Sequence, residues 1–555
     1  MGSAGKYHQD SKEVDVKSEV ASNVELFYDL WFVANLNVFA AVITPLFVLE
    51  TDHEIYAAPS LWNFVGYMLL LWTTWLMTTF HYVRFYKDGI AERCLMGTHL
   101  GVMVGFTIIG TQFNADKQIQ SVYQAMPLFL MASRLALAVQ YGMVLYDRHG
   151  DMTRRVPLIS TIAFHFVAAM IYLGISFGFQ EGQNNRDFVV WYAFGVVEMV
   201  IELAASRVWN FLTFVGTHLP ERFNLLTLII LGEGVIIIAK NVTLVVQNFS
   251  VKDERFANWS PALIGIVISG TALIYIIYQL YTGWMCEGEM SRHRQIVWAA
   301  LHLPLHITLL LLLKGATQFI IWQRLNESVT LAIDQIGSIE IPAHATSDSI
   351  AWSLANTTLA YLRIYPPADE LFTWQNVIDN VRNISSIPDS FWRAGMTEPG
   401  EELFERFTLS WHELLYTVIN SISSSFEILM PSHLDPSSDM HLVQARTAAA
   451  IHARFRLVLV YSFVCAGITL LAMTTLYIIA KDDGWTKFDV LRTMFAVDVA
   501  IGLGLVCLVA KDDDTAESFL GSPWMLPTMT ICYFAVLVVS YIPDPTSLTR
   551  RREGS

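Results

Sequence analysis

Five carboxylates stand inside otherwise apolar stretches of the chain, and their spacing is the first clue to chemistry. Glu25 and Asp29 are four residues apart, as are Glu198 and Glu202, so each pair shares one face of a helix. Glu233 lies between two glycines in Leu231-Gly232-Glu233-Gly234, small neighbours that allow a second helix to come close. A charged side chain at mid-membrane costs about 2.5–3.5 kcal/mol even on permissive scales, which makes each of these a functional suspect. Acids on helices one, six and seven could bind a cation or pass protons. The plainer reading pairs Glu198, Glu202 and Glu233 with Arg134 or Lys240, and makes Glu25 with Asp29 a cap at a helix N-terminus. Three internal acids against so few internal bases leave at least one protonated or cation-bound. Arg207, Glu221, Arg222 and Arg84 complete the set of expected structural polar partners. His302 and His306 are also four apart, around Pro304, and could ligate a metal only if carboxylates supplied the rest. Hydrogen-bonded interface residues are the more ordinary role for such a pair, so no metal and no cofactor is expected. His99 and His165 read as packed partners.

The elements that hold these residues follow from composition. Of 555 residues 54% are hydrophobic and only 15% charged, against about a quarter in soluble domains, and the mean hydropathy is +0.43. Net charge is −15, which argues against a nucleic-acid partner. Cys94, Cys286, Cys465, Cys507 and Cys532 lie singly, forming neither a disulfide framework nor a zinc module. The class is an all-α, polytopic transmembrane helix bundle in a lipid bilayer. Segments of roughly 20 apolar residues, enough for about 30 Å of hydrocarbon, predict about twelve spans. They lie near 24–49, 61–84, 94–113, 122–146, 156–178, 188–209, 223–247, 261–285, 295–322, 453–480, 488–510 and 523–542.

Charge bias orients the chain. Lys6, Lys12 and Lys17 precede the first span, Arg84, Lys87 and Arg93 follow the second, Arg148, Arg154 and Arg155 follow the fourth, and Arg550–Arg552 end the chain. The intervening connection 50–60 carries no Lys or Arg and 114–121 and 179–187 carry one each, so both termini are expected in the cytoplasm. The division is a cytoplasmic tail 1–23, about nine spans over 24–322, an extracytoplasmic segment 323–450, about three spans over 451–542 and a basic tail 543–555. The segment 323–450 holds 16 acids, six arginines and no lysine, with enough aromatics to fold. Within it, residues 407–430 are expected to lie on the membrane surface rather than cross it. The N-x-S/T sequons at Asn241, Asn248, Asn258, Asn326, Asn356 and Asn383 all fall on the side the charge rule places outside, which suggests glycosylation in a secretory pathway. The plasma membrane and an internal membrane are both open. Gly97, Gly101 and Gly105, and Gly174 with Gly178, read as close helix contacts, with homo-oligomerisation the lesser alternative.

Absences narrow the function. There is no G-x-x-x-x-G-K-[ST], His412-Glu413 lacks the second histidine of H-E-x-x-H, and Asp513-Asp514-x-x-Glu517 is a solvated stop more readily than a diphosphate site.

Two stretches go beyond generic membrane chemistry. Val24-Glu25-Leu-Phe-Tyr-Asp29-Leu-Trp-Phe-Val33 resembles the E-L-F-[FY]-D-L-x-F-V signature of the low temperature requirement A (LtrA) family, and Glu221-Arg222-Phe223 through Gly232-Glu233 resembles its second signature. Trp72-Thr-Thr-Trp75 and Arg84-Phe-Tyr86-Lys-Asp88 are similar to a third stretch, with Val83 in place of its Asn, and Arg134-Leu fits a family position in the fourth span. The resemblance covers roughly residues 20–320. The acidic segment 323–450 departs from the compact bacterial pattern and looks like a eukaryotic, fungal elaboration. The resemblance implies a multi-pass helical protein and draws attention to Glu25, Asp29, Glu221, Arg222 and Glu233, but it implies no substrate. Polar helix entries at the first and seventh spans suggest two six-helix halves, as in many transporters.

Three functions are then open. The first is a channel or secondary transporter moving a cation, proton or small solute, with Glu233 central, Glu198 and Glu202 its neighbours, and Glu25 with Asp29 at the cytoplasmic mouth. The second is a membrane-embedded enzyme, a cyclase or lipid-modifying protein using carboxylic acids as general acids, although no nucleophile–base set is present. The third is a scaffold or sensor whose acidic segment binds an outside partner.

Overall fold

The computed structural model describes residues 22–43, 58–110, 112–113, 118–147, 152–179, 188–247, 260–285, 290–337, 345–367, 369–393, 401–426, 440–481 and 484–543. Among these residues there are seventeen α-helices and no strand. The first nine are α1 (Asn23–Ile43), α2 (Ala58–Phe85), α3 (Ile90–Gly110), α4 (Gln120–Asp147), α5 (Met152–Ser176), α6 (Phe188–Val208), α7 (Leu219–Gln247), α8 (Pro261–Trp284) and α9 (Arg292–Gly337). Then come α10 (Ser347–Ile364), α11 (Glu370–Ser385), α12 (Asp389–Arg393), α13 (Glu401–Ser425), α14 (Met440–Ala480), α15 (Lys487–Leu505), α16 (Asp513–Leu520) and α17 (Met525–Tyr541).

Nine of the described helices are long and apolar enough to cross a membrane, namely α3 to α9, α14 and α15. The pair α16 and α17 passes the same test only together, across an 81° bend. With α1 and α2 they account for the twelve predicted segments. Of these two, α2 falls short in apolarity for a physical reason. On α2 the side chains of Thr73, Thr74, Thr78, Thr79 and His81 are buried in protein, so their polar groups never meet lipid. On α1 the acids face inward while Phe27 and Leu30 are exposed on the opposite side.

Helices α1, α3, α4 and α6 pack around α2, α5 packs on α4, and α7, α8, α14 and α17 gather around α9. Helices α1, α2 and α6 join the two groups through α7 and α9. Close approach depends on glycine where backbones meet. A Cβ on Gly467 of α14 would sit 2.5 Å from the Ala500 carbonyl of α15, and one on Gly315 of α9 would overlap Ser462 of α14. The glycines singled out from sequence behave differently. Gly97, Gly101 and Gly174 have open space where a Cβ would go, whereas Gly105 meets Phe129 of α4.

Helix α9 runs unbroken past residue 322, and its 46 residues span about 69 Å, far more than a bilayer. The 41-residue α14 pairs with it. Helices α10, α11 and α13 pack on one another and on α9. A capping box between Thr346 and Ser349 starts α10, and the Asp369 carboxylate accepts the Phe372 N–H to start α11. Of the stretch 407–430, residues 427–430 lie outside the described residues; in α13, Leu414, Val418 and Ile422 are buried against these neighbours, and Trp411 donates to the Ile336 carbonyl.

Candidate functional site

The strongest polar cluster joins the start of α1 to the start of α7. Trp75 Nε1 donates to Asp29 Oδ1 at 2.7 Å, and Arg222 Nη2 donates to the same oxygen at 2.8 Å. Arg222 Nε also lies 3.7 Å from Glu25 Oε1, which His218 Nε2 approaches to 3.1 Å. The other Glu25 oxygen accepts from the Ser22 backbone and hydroxyl. The four-residue spacing of Glu25 and Asp29, and that of His218 and Arg222, aims two side chains from each helix at the same point. Helix α2 closes the cluster with Trp75, and Phe223 packs edge-on to that indole. Glu221 is half-buried beside it in sequence.

One step deeper along the α7–α9 seam lie the two histidines. Trp72 Nε1 donates to His306 Nδ1 at 3.1 Å, which leaves His306 Nε2 as the protonated nitrogen, 2.9 Å from Thr227 Oγ1. His302 has the opposite tautomer: its Nδ1 donates to the Trp298 carbonyl at 2.9 Å and its Nε2 accepts from Tyr281 at 3.1 Å. All four ring nitrogens are therefore engaged by protein. Among the described residues no group of three or more His, Cys, Asp or Glu is placed to hold a metal.

Glu233 is buried another turn and a half beyond Thr227. Its Oε1 has no hydrogen-bond partner, and it lines a small cavity with Leu36, Phe64 and Lys314. Lys314 of α9 and Asn37 of α1 are both close enough to act on its carboxyl group. The Gly234 position faces Leu313 of α9, as the expected close approach requires, whereas Gly232 is open.

Glu198 and Glu202 stand elsewhere. The guanidinium of Arg134 grips Glu198 with two bonds of 2.7 and 2.8 Å, and Tyr172 donates a third at 2.9 Å. Arg84 lies 3.3 Å from Glu202, with His165 at 3.4 Å on its other oxygen. These acids are held within α2, α4, α5 and α6, away from Glu233. Lys240 is exposed on α7, and Arg207 is exposed, its carbonyl accepting from Arg292.

Sequence reasoning missed a further network. Glu92 of α3 accepts from Gln140 at 2.9 Å and lies 3.4 Å from His81, while His99 donates to the Gln140 oxygen at 3.0 Å. Glu92 follows the basic connection after α2, so its position resembled that of a surface residue. In that connection Arg93 forks onto Asp88 at 2.8 and 2.9 Å and, through those bonds, holds its carboxyl below the usual aspartate value.

The ion-pair cluster of Glu25, Asp29, Arg222 and Trp75 is drawn from the two signature stretches and the third. Residues 20–343, more than half of the chain, match the family described as Bacterial low temperature requirement A protein (LtrA). The chain belongs to the LtrA family. Its first LtrA signature supplies Glu25 and Asp29 and its second supplies Arg222, so the two motifs meet at one ion-pair cluster, with Trp75 from the third. This LtrA protein is an integral membrane protein. No curated protein and no solved structure matches it. Of the sequons, Asn356 and Asn383 are exposed, Asn326 is half-buried in α9 and Asn241 is buried in α7, while Asn248 and Asn258 lie outside the described residues.

Proposed function

We propose that this protein is a proton- or cation-conducting transporter whose path follows the α1–α7–α9 seam and whose central site is Glu233. The observation that carries the reading is the buried Glu233 Oε1 without a hydrogen-bond partner, facing a cavity that Lys314 also lines. A buried polar atom left unsatisfied is costly, and a proton, a cation or water would relieve it. Along α7, His218, Arg222, Thr227 and Glu233 descend in order over about 22 Å, with His302, His306 and Lys314 opposite on α9. Glu25 and Asp29 form the cytoplasmic mouth in this reading.

Between the Thr227–His306 pair and Glu233 the seam is apolar, with Ile230, Leu231 and Leu309 buried. Conduction therefore requires those rows to part and admit water, which makes the path gated. Glu198 and Glu202, each neutralised by an arginine, act as the fixed wall against which the seam opens.

The test is flux in proteoliposomes under imposed proton, sodium and potassium gradients. Wild type is expected to move one of these ions, and Glu233→Gln to lose the flux while keeping its folded, monodisperse state. Full flux through a well-folded Glu233→Gln protein removes Glu233 from the mechanism.

A further inference from the structure

A second site lies among the later helices, where α8, α14, α15 and α17 enclose a cleft of about 210 Å³. Its walls include Gln279, Trp284, Tyr477, Arg492, Thr493 and Ser540. None of these belongs to the acid-bearing seam, and three of the four helices bounding the cleft lie wholly or mostly beyond the family-matched region.

Two cations, Lys481 and Arg492, share the single carboxylate of Asp489, which leaves the rim of the cleft with a net positive charge. Asp489 is the nearest acid, but its Oδ2 is 2.6 Å from Lys481 and also accepts the Thr486 N–H that starts α15. Arg492 Nη1 is 3.8 Å from Asp489, beyond hydrogen-bond distance, and its Nη2 donates to the Ile542 carbonyl. Arg492 Nε is buried without any partner. Across the cleft, Gln279 gives its amide oxygen to Tyr541, which leaves its amide nitrogen as a donor. An anion in the cleft would lie against the Arg492 guanidinium, with the Gln279 amide across from it.

The remaining polar groups have the opposite character. Thr493 and Ser540 give their hydroxyl hydrogens to backbone carbonyls of their own helices, so they offer lone pairs. A ligand here needs a negative centre and hydroxyl donors of its own. Trp284 and Tyr477 lie 5.7 Å apart, and Lys481 sits over the rings of Tyr477 and Trp485, the aromatic-and-basic pattern of a membrane interface. Met494 and Val538, each next in sequence to a lining residue, are exposed apolar side chains suited to acyl chains. The charge bias expects this end on the cytoplasmic side, where anionic lipids concentrate.

We infer that this cleft binds the head group of an anionic, hydroxyl-bearing phospholipid, with Arg492 and Gln279 on the phosphate and Thr493 and Ser540 on the polyol. The cleft is smaller than the usual 300–1,000 Å³ of drug-sized sites, in keeping with a head group alone entering it. The inference is independent of Glu233 and fails or stands separately from the transport reading.

The experiment is native mass spectrometry of the full chain in detergent, titrated separately with dioleoyl phosphatidylinositol, dioleoyl phosphatidylcholine and inositol 1-phosphate. Saturable phosphatidylinositol binding is expected, with phosphatidylcholine roughly tenfold weaker, and Arg492→Gln lowering the phosphatidylinositol affinity by a similar factor. Ser540→Leu, at a partly exposed position, fills the cleft without removing charge and should do the same should Arg492→Gln fold poorly. Inositol 1-phosphate binding as tightly as the lipid, and lost in the same variants, keeps the contacts but assigns them to a soluble phosphorylated polyol. Equal binding of phosphatidylcholine and phosphatidylinositol, or unchanged phosphatidylinositol binding in the folded variants, overturns the inference.

Discussion

Arg222 and Asp29 lie 193 residues apart in the chain and 2.8 Å apart in the fold, each wholly buried. Asp29 Oδ1 accepts from both Arg222 and Trp75, so one oxygen ties α1, α2 and α7 together. The second signature stretch thus provides the cation that the first requires. An acid on α1 can stay charged in the bundle because this guanidinium faces it, and Arg222 in turn stands between two carboxylates.

Removing that cation should be severe. Arg222→Gln leaves Glu25 and Asp29 buried without it, and breaking a buried pair from one side costs about 3–5 kcal/mol. Arg222→Lys should recover only part, because a single ammonium cannot reproduce the planar fork toward both acids. Adding Asp29→Asn to Arg222→Gln should restore some of the loss. The measurement is thermal unfolding of the full chain in detergent. An Arg222→Gln protein as heat-stable as wild type would deny the cluster its structural role.

Glu198 differs from Glu233 in having every obvious partner, and this gives a separable expectation. Glu198→Gln leaves Arg134 as an uncompensated buried charge and should destabilise by about 3–5 kcal/mol, whereas Arg134→Met with Glu198→Leu should return most of it. The folded double variant should retain ion flux. A double variant as unstable as Glu198→Gln alone would show that the two do not act as a pair, and lost flux in a stable double variant would place Glu198 in the path.

Much of this arrangement was legible in the sequence, for identifiable reasons. Long apolar runs marked the nine described helices that are long and apolar enough to cross a membrane, and the helical spacing of Glu25 with Asp29 put both on one face. The alternative that paired Glu198 with Arg134 was also open from residue types alone. What the sequence did not contain was distance. Nothing in the spacing distinguishes the acid that meets Arg134 from the one whose oxygen lacks a partner, because that depends on which helices become neighbours. The Glu92–Gln140–His81 network was hidden for another reason: Gln and His carry no charge bias, and Glu92 sits beside Arg93 at a helix start where surface acids are ordinary. The uncovered Gly97 and Gly101 show the same limit, since small residues permit close packing without dictating it.

Burial also sorts the glycosylation sequons. Asn356 on α10 and Asn383 on α11 are exposed, whereas Asn241 is buried in α7, where a glycan has no room without opening the helix packing. When the chain is expressed in glycosylating microsomes, Asn356→Gln and Asn383→Gln should each remove one endoglycosidase-sensitive step in gel mobility, and Asn241→Gln should remove none. The result also reads orientation. Glycans on α10 and α11 put that end of α9 in the lumen or outside, and Glu25, Asp29 and the cleft beside Arg492 on the cytoplasmic side. If neither Asn356 nor Asn383 is modified in correctly inserted protein, the charge-based orientation is wrong, and the mouth proposed at Glu25 opens to the other side.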